Sequence, residues 1–291
     1  MQKSSMTPEI KVVYSDLDGT LLSPKKHSWK KVKTYTLSTL SVFLENSSNH
    51  FILATGRNLA RTKSISNWLE NRLGGYKIPY LICLNGGLLF DNREGKIIHT
   101  QTFKCSQLLK LLSFLRRHYF LVYFIVDSSN QLFVENNWIS RVFARKFAKK
   151  YNATIKFNTP ENYKNGWEGI QKVLFFTFHK NSSKLRILIE TQFSEFYVSI
   201  HGDWLLEVID RKVNKFFAIQ RINEIEGWEL EECCAIGNEH NDLMMIEKCG
   251  FGVAVDFSPE HTTFNYDNTL INFNTTNKYG LAVANVINHL T

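Results

Sequence analysis

The chain has 291 residues, which suits one large domain or two modest ones. Apolar residues make up 44% and charged residues 21% of the chain, a balance that is typical of globular proteins and argues against intrinsic disorder. The formal net charge of +8 would attract anionic small molecules or nucleic acid. Because the basic residues occur in short bursts without a long block, we expect solvated helix faces and no nucleic-acid partner.

The cysteines and the apolar stretches indicate in which cellular compartment the protein works. The cysteines are odd in number and lack the paired spacing of a zinc site, which indicates a reduced intracellular chain. The N-terminal residues contain no apolar core of signal-peptide length, and the longest apolar stretch, Tyr119 to Val126, is too short to span a membrane. We therefore expect a cytoplasmic protein without a membrane partner.

The chain begins with a strand, helix, strand pattern. Ile10 to Ser15 is a short apolar run that ends at Asp16, and Phe51 to Ala54 is a second run that ends at Thr55-Gly56-Arg57. Between these runs, Ser28 to Leu44 has apolar residues at helical spacing. This order is typical of a doubly wound parallel sheet.

A third predicted strand also ends in a glycine-rich turn. Leu59 to Leu73 has helical spacing, and Pro79 to Leu84 is an apolar run that ends at Asn85-Gly86-Gly87. Open parallel sheets bind ligands outside the carboxyl ends of their strands. The three turns after these strands should therefore lie together, and the chemistry should be located there.

The pattern changes after Gly87 and returns near residue 212. The intervening stretch alternates short strands and helices without the parallel order, as an α+β module does. A helix from Lys215 to Ile225 and strands from Cys233 to Ile236 and from Gly252 to Val255 then restore the parallel order. We predict an α/β, Rossmann-like doubly wound core made of residues 1–87 and 212–291, with an inserted α+β cap domain made of residues 88–211.

The run Asp16-Leu17-Asp18-Gly19-Thr20 carries the first chemical signal. Asp16 and Asp18 are two residues apart, so their side chains point the same way in extended backbone at the end of the first strand. Two carboxylates on one side attract Mg²⁺, which prefers oxygen ligands, and the cation leaves Asp16 ionised as a nucleophile. A bare Asp-x-Asp often does no more than end a strand; the position of this run directly after an apolar strand favours a site.

Five motifs in order along the chain resemble the haloacid-dehalogenase-like superfamily and, within it, the Cof-type sugar-phosphate phosphatases. The first is similar to residues 12–22, the second to Ala54-Thr55-Gly56-Arg57, and the substrate loop to Asn85-Gly86-Gly87. The third is similar to Leu206-Glu207-Val208-Ile209 followed by Asn214-Lys215, and the fourth to residues 236–242. The resemblance spans nearly the whole chain.

The resemblance implies a role for each matching residue. Asp16 would be the nucleophile that forms an aspartyl-phosphate, and Asp18 would protonate the leaving oxygen and then activate water. Thr55, Lys215 and N–H groups near Leu17 could stabilise the phosphoryl oxygens. The expected phosphate-binding or substrate-binding residues are Leu17, Thr55, Gly56, Arg57, Asn85, Lys215 and Asn241. The expected Mg²⁺ ligands are Asp16, Asp18, Asn238 and Asp242.

The fourth motif departs from the family at Asn238, where the family usually has aspartate. One formal negative charge is therefore missing from the expected metal site. An asparagine carbonyl still suits Mg²⁺, but it attracts the ion less than a carboxylate does. We expect a working site with weakened Mg²⁺ affinity.

The leading hypothesis is a Mg²⁺-dependent phosphatase that acts on sugar phosphates or similar small phosphorylated metabolites, as a monomer or weak homodimer. A phosphosugar mutase is an alternative, because related folds transfer phosphate between hydroxyls. A catalytically weakened phosphate-binding protein is another, suggested by Asn238 and the basic charge. Fold and motifs concern the chemistry at phosphorus and do not identify the leaving group.

Overall fold

The computed structural model describes residues 9–22, 32–118, 123–127, 131–151, 153–167, 169–177, 181–201, 204–256, 273–276 and 281–290. The described residues form two units. The first unit draws on residues 1–99 and 214–291, and the second on residues 100–213. The chain thus leaves the first unit once and returns to it.

An eight-stranded sheet forms the centre of the first unit. Its order is β14-β13-β12-β1-β2-β3-β4-β5, and every recorded pairing from β14 to β3 is parallel, while β3 and β4 are antiparallel. The central strand β1 is buried along its whole length, as expected for a parallel strand covered on both faces. The strands are β1 (Val12–Ser15), β2 (His50–Ala54), β3 (Tyr80–Cys83), β4 (Leu88–Asp91), β5 (Lys96–Thr100), β12 (Cys233–Gly237), β13 (Phe251–Val255) and β14 (Phe273–Thr275).

Helices cover both faces of this sheet. Three of them, α1 (Thr34–Phe43), α2 (Leu59–Arg72) and α9 (Ala282–Leu290), contribute residues to the core on one face. Two others, α7 (Lys215–Glu226) and α8 (Leu243–Lys248), contribute to the core on the other. The predicted doubly wound α/β architecture is therefore confirmed.

The second unit has its own six-stranded sheet with the order β10-β11-β9-β6-β7-β8. All of its pairings are antiparallel except β7 with β8. Helices α3 and α6 pack on one face and α4 on the other, which confirms the predicted α+β character. Its elements are α3 (Cys105–His118), β6 (Tyr123–Asp127), β7 (Gln131–Val134), α4 (Trp138–Tyr151), β8 (Thr154–Phe157), α5 (Pro160–Asn165), β9 (Ile170–Phe176), α6 (Ser182–Gln192), β10 (Phe196–His201) and β11 (Leu205–Asp210).

The start of the insert differs from the expectation. From the sequence we expect it after Gly87, whereas β4 pairs with β3 and continues the core sheet, so the second unit begins at Thr100. The apolar pattern of β4 fits either sheet, and a hairpin signal does not say which sheet it joins. The end at Val213 is close to the expected residue 211. That the second unit acts as a cap stays a prediction.

Local signals explain the bounds of the helices that carry site residues. Asn214 caps α7 by accepting a hydrogen bond from the Phe217 N–H (2.9 Å), and α7 ends before Gly227, whose φ is 71°. The predicted helix from Ser28 corresponds to α1, which begins at Thr34; residues 28–31 of that prediction lie outside the described residues. Among the helices of the described residues, none is long and apolar enough to cross a membrane.

A buried carboxylate fastens α2 to the sheet. Glu70 is 3% exposed, and its Oε1 accepts hydrogen bonds from the Ser66 hydroxyl (3.0 Å), the Ile78 N–H (3.3 Å) and the Asn92 amide (2.8 Å). Its Oε2 contacts the Lys77 ammonium at 2.9 Å. Glu70 therefore supplies the acceptor for the buried Ser66 hydroxyl and the buried Ile78 N–H.

We expect Glu70→Ala to lower the free energy of unfolding by about 2 kcal/mol, because buried donors lose their acceptor. Glu94→Ala is the matched control, since the Glu94 side chain is 64% exposed and should change stability by less than about 0.5 kcal/mol. Urea denaturation of both variants measures the difference. Equal stabilities of the two variants would contradict this role of Glu70.

Candidate active site

Two parallel strands bring residues from both ends of the chain to one edge of the sheet. β1 and β12 pair with Ser15 opposite Ile236, and the Asp16 N–H donates to the Ile236 carbonyl at 2.9 Å. Both strands therefore end side by side. The loops that follow them carry Asp16 and Asn238.

A buried lysine joins two carboxylates at this edge. The Lys215 Nζ lies 2.6 Å from Asp16 Oδ1 and 2.6 Å from Asp242 Oδ1. Lys215 and Asp242 are fully buried, and Asp16 is 6% exposed. One ammonium against two carboxylates leaves a net negative charge in a place with little water, where electrostatic effects are strong.

Burial and the neighbouring charges together set the pKa values of this cluster. Burial raises the pKa of the Asp16 carboxyl to about 7; the Lys215 charge opposes this rise, while the Asp242 charge adds to it. Burial alone would lower the pKa of the Lys215 ammonium, but Asp16 and Asp242 together raise it above its ordinary value. Lys215 is therefore a permanent cation, and Asp16 is a carboxylate whose charge a further cation would stabilise.

Asp242 is fully engaged within the protein. Its Oδ1 contacts Lys215, and its Oδ2 accepts hydrogen bonds from the N–H groups of Asn238 and Glu239, both at 3.0 Å. A Cβ at Gly237 would lie 2.3 Å from the Asp242 Cβ, so the close approach of this side chain requires glycine. Asp242 thus holds both the lysine and the loop that carries Asn238.

Asp18 lies against Arg57. The Arg57 Nε donates to Asp18 Oδ2 at 2.7 Å, and the Arg57 Nη2 donates to Asp18 Oδ1. Such a bidentate pair fixes the plane of the carboxylate. The sequence motifs predicted both residues in the site but gave no sign that they pair with each other.

The turns after β2 and β3 interlock. The Arg57 N–H donates to Thr55 Oγ1 at 3.2 Å, the Asn85 N–H donates to the Thr55 carbonyl at 3.0 Å, and the Leu84 N–H donates to the Arg57 carbonyl at 3.0 Å. Leu84 and Asn85 have φ values of 53° and 59°, in the left-handed region that bulky side chains avoid. The interlocked hydrogen bonds offset this strain, which is typical of functional turns.

Asn85 also reaches the loop of the fourth motif. The Asn241 Nδ2 donates to Asn85 Oδ1 at 2.9 Å, and Gly56 leaves room for the Asn85 amide. The Oδ1 of Asn241 is buried and has no hydrogen-bond partner within the described part of the chain. A buried acceptor without a donor is costly, so this oxygen is suited to a ligand that carries a donor.

The Asn85-Gly86-Gly87 turn also lies against the start of α7. A Cβ at Gly86, whose φ is 96°, would lie 2.1 Å from the Asn214 carbonyl oxygen. Asn214 is the N-cap of α7, and Lys215 is its first residue. The glycine therefore allows this turn to lie directly against the start of the helix that carries Lys215.

The donor chemistry of this edge fits Mg²⁺. The Asp16 carboxylate and the Asn238 amide oxygen offer oxygen ligands, and the cluster has surplus negative charge. Asn238 Oδ1 accepts a hydrogen bond from the Thr20 hydroxyl at 3.1 Å, which orients its carbonyl. Over the residues that the structure describes, no three His, Cys, Asp or Glu side chains gather in one metal-binding group. A metal site would therefore depend on the Asn238 amide as well as on carboxylates.

All of the predicted site residues lie in the first unit. Asp16, Lys215 and Asp242 are in direct contact; Asn238 is held to Asp242; and Asp18, Thr55, Arg57, Asn85 and Asn241 are linked by the hydrogen bonds above. Leu17 is buried, and its carbonyl accepts the Leu22 N–H at 2.8 Å. Their roles in binding and catalysis stay predictions. The supporting contacts of Thr20 and Asn214 were not predicted; the capping spacing between Asn214 and Phe217 was the available signal for the latter.

We expect Lys215→Met to lower the free energy of unfolding by about 3–5 kcal/mol, because it leaves Asp16 and Asp242 buried without their cation. Adding Asp16→Asn to this variant should recover part of the loss, because one of the two unpaired charges is removed. Lys212→Met, at an exposed lysine three residues earlier in the chain, is the control. Denaturant unfolding is the measurement, and a Lys215→Met chain as stable as the control would refute the electrostatic account.

Comparison with known proteins identifies the family of the chain. A family model described as haloacid dehalogenase-like hydrolase matches residues 13–283. A Buchnera aphidicola protein named "Putative phosphatase" is 28% identical over 252 residues, covering 85% of this chain and 86% of that protein. A Mycoplasma genitalium protein with a similar name is 26% identical over 270 residues, covering 91% of each chain.

Solved structures share the fold. A haloacid dehalogenase-like hydrolase from Bacteroides thetaiotaomicron has a TM-score of 0.73 and 20% identity, over 97% of this chain and 100% of that one. A structure described as a subclass IIB sugar phosphatase has a TM-score of 0.72 and 18% identity, over 97% of this chain and 100% of that one. Because the family model spans nearly the whole chain, the protein belongs to the haloacid dehalogenase-like hydrolases, as its Cof-type motifs predict.

Proposed function

We propose that this protein is a Mg²⁺-dependent phosphomonoester hydrolase that uses Asp16 as its nucleophile and acts on sugar phosphates or similar small phosphorylated metabolites. The observation that carries the proposal is the buried Asp16 carboxylate, held by Lys215 at the carboxyl edge of the parallel sheet. The names of the related proteins and of the subclass IIB structure support the same reaction class.

In the first half of the reaction, an Asp16 oxygen attacks phosphorus and forms an aspartyl-phosphate. The bond from phosphorus to the leaving oxygen breaks, and Asp18 supplies the proton that this oxygen takes. In the second half, Asp18 accepts a proton from water, the water oxygen attacks phosphorus, and the bond from phosphorus to Asp16 breaks. Inorganic phosphate and the original carboxylate result, so Asp18 serves once as acid and once as base.

The remaining groups stabilise charge and orient the substrate. Lys215 is a fixed cation next to the attacking oxygen, at the N-terminus of α7, where the helix dipole also favours anions. In this proposal Thr55 and the N–H groups near Leu17 bind phosphoryl oxygens, and Asn241 contacts the substrate through its amide. The Asn85-Gly86-Gly87 turn supports these groups through its contacts with Thr55, Asn241 and Asn214.

Mg²⁺, when bound, would neutralise charge on Asp16 and on the phosphoryl group. We propose Asp16 and Asn238 as the side chains that would hold it. Both carboxylate oxygens of Asp18 accept from Arg57, so Asp18 would contribute its backbone carbonyl oxygen. Asp242, predicted as a further ligand, already uses both oxygens within the protein, which favours a role as support for Lys215 and for the Asn238 loop.

The proposal also covers the substrate, the cellular location and the oligomeric state. We propose a small-molecule substrate whose leaving group is selected by the second unit acting as a cap, in a cytoplasmic protein that works as a monomer or weak homodimer. The short bursts of basic residues favour no nucleic-acid role, and we propose no membrane partner.

We expect the wild-type chain in Mg²⁺ to release phosphate from at least one member of a panel of sugar phosphates. Asp16→Asn should reduce the rate by at least about 10³, because it removes the nucleophile. Asp91→Asn is the matched control: Asp91 is also 6% exposed, but it pairs with Tyr80 at the opposite end of β3. Product analysis distinguishes the alternatives, since isomer formation without phosphate release would indicate a mutase and no turnover would indicate a binding protein.

We expect Asn238→Asp to lower the Mg²⁺ concentration that gives half-maximal activity, because a carboxylate attracts the ion more strongly than an amide does. Calorimetric titration with Mg²⁺ alone should show the same gain in affinity without any turnover. Asn46→Asp, an exposed position before β2, adds the same charge away from the site and should leave both values unchanged. Equal Mg²⁺ affinity in wild-type and Asn238→Asp chains would refute this account of the site.

A further inference from the structure

The ion pair between Arg57 and Asp18 is more constrained than a surface salt bridge. Both Asp18 oxygens accept from the guanidinium, through Nε at 2.7 Å and through Nη2. The Arg57 side chain is only 10% exposed, whereas the Asp18 side chain is 34% exposed. The arginine is thus the buried, fixed partner, and the carboxylate is the partner that reaches solvent.

Backbone contacts hold Arg57 in place. Its N–H donates to Thr55 Oγ1, and its carbonyl accepts from the Leu84 N–H, so both sides of the residue are tied to the interlocked turns. A planar guanidinium with two parallel hydrogen bonds fixes a carboxylate in plane and direction, which a lysine ammonium cannot do. The orientation of Asp18 therefore follows from the turn after β2.

We infer that Arg57 is a positioning residue that aims the Asp18 carboxyl at the leaving oxygen, in addition to any contact with substrate. This inference rests on the proposed function, in which Asp18 transfers the proton. From the sequence, Arg57 is expected to hold substrate; the structure instead shows the Nε and one Nη2 donor on Asp18. Proton transfer by a positioned side chain is effective only when the acid lies within hydrogen-bond reach of the departing atom.

Leaving groups of different basicity separate positioning from phosphate binding. A 4-nitrophenolate ion departs without a proton, whereas an unsubstituted phenolate gains more from one, and the two substrates have nearly the same shape. Loss of a positioned acid should therefore affect phenyl phosphate more than 4-nitrophenyl phosphate. Loss of a phosphate contact should affect both equally, because the phosphoryl group is the same.

The experiment measures kcat/KM for both aryl phosphates in Mg²⁺ with Arg57→Met, Arg57→Lys and Asp18→Asn. We expect Arg57→Met to lower kcat/KM by about 10²-fold for phenyl phosphate and by less than about tenfold for 4-nitrophenyl phosphate. Arg57→Lys keeps the positive charge but cannot form the bidentate hydrogen bonds of a guanidinium. It should therefore still lower kcat/KM much more for phenyl phosphate than for 4-nitrophenyl phosphate. The double variant Arg57→Met, Asp18→Asn should lose no more than Asp18→Asn alone, because the two residues act as one unit.

Equal losses on the two substrates, or full rescue by Arg57→Lys, would overturn the inference and leave Arg57 as a charge that binds phosphate. Arg72→Met, at the far end of α2, is the control for loss of an arginine and should change neither value. Circular dichroism checks the fold; if Arg57→Met does not fold, the Arg57→Lys pair of measurements decides. A wild-type chain inactive on both substrates would instead refute the proposed function.

Discussion

The ammonium of Lys215 is the interaction on which the rest of the site depends. It is a buried cation shared by two buried carboxylates, so none of the three groups can move without leaving charge unpaired. Asp16 comes from the end of β1, Lys215 from the start of α7, and Asp242 from the loop after β12. One small charge therefore fixes three elements of the first unit relative to one another.

Neighbouring loops and turns hold this cluster in place. Asp242 ties Lys215 to the loop that carries Asn238, and the Asn85-Gly86-Gly87 turn lies against the start of α7. The same turn reaches Asn241 through its asparagine. Asp242 and the Asn85-Gly86-Gly87 turn thus help to determine where Lys215, Asn238 and Asn241 lie, and the hydrogen bonds among them leave little freedom for adjustment.

The sequence predicted the parallel core and the gathering of the turns that follow β1, β2 and β3, because an apolar run that ends in a polar turn marks the end of a strand. It did not predict that Arg57 pairs with Asp18 or that Asp242 uses both of its oxygens. Which side chains pair depends on distances in three dimensions, and the spacing of residues along the chain does not give those distances. It also misplaced the start of the insert, since the residues of β4 and β5 are equally suited to either sheet. Short strands with exposed faces, such as β8, have too weak a pattern to be recognised.

The order of β1 in the sheet has a consequence for synthesis of the chain. β1 lies between β2 and β12 in the sheet, but β2 follows it closely along the chain and β12 comes much later. The ion pair next to β1 likewise joins residues 199 positions apart, Asp16 and Lys215. Until β12 (Cys233–Gly237) has been made, this apolar strand has a neighbour on one side only and presents an open edge of the kind that pairs with other chains. The middle strand of the finished sheet is therefore an edge strand during translation, and the second unit is complete before that edge can be covered.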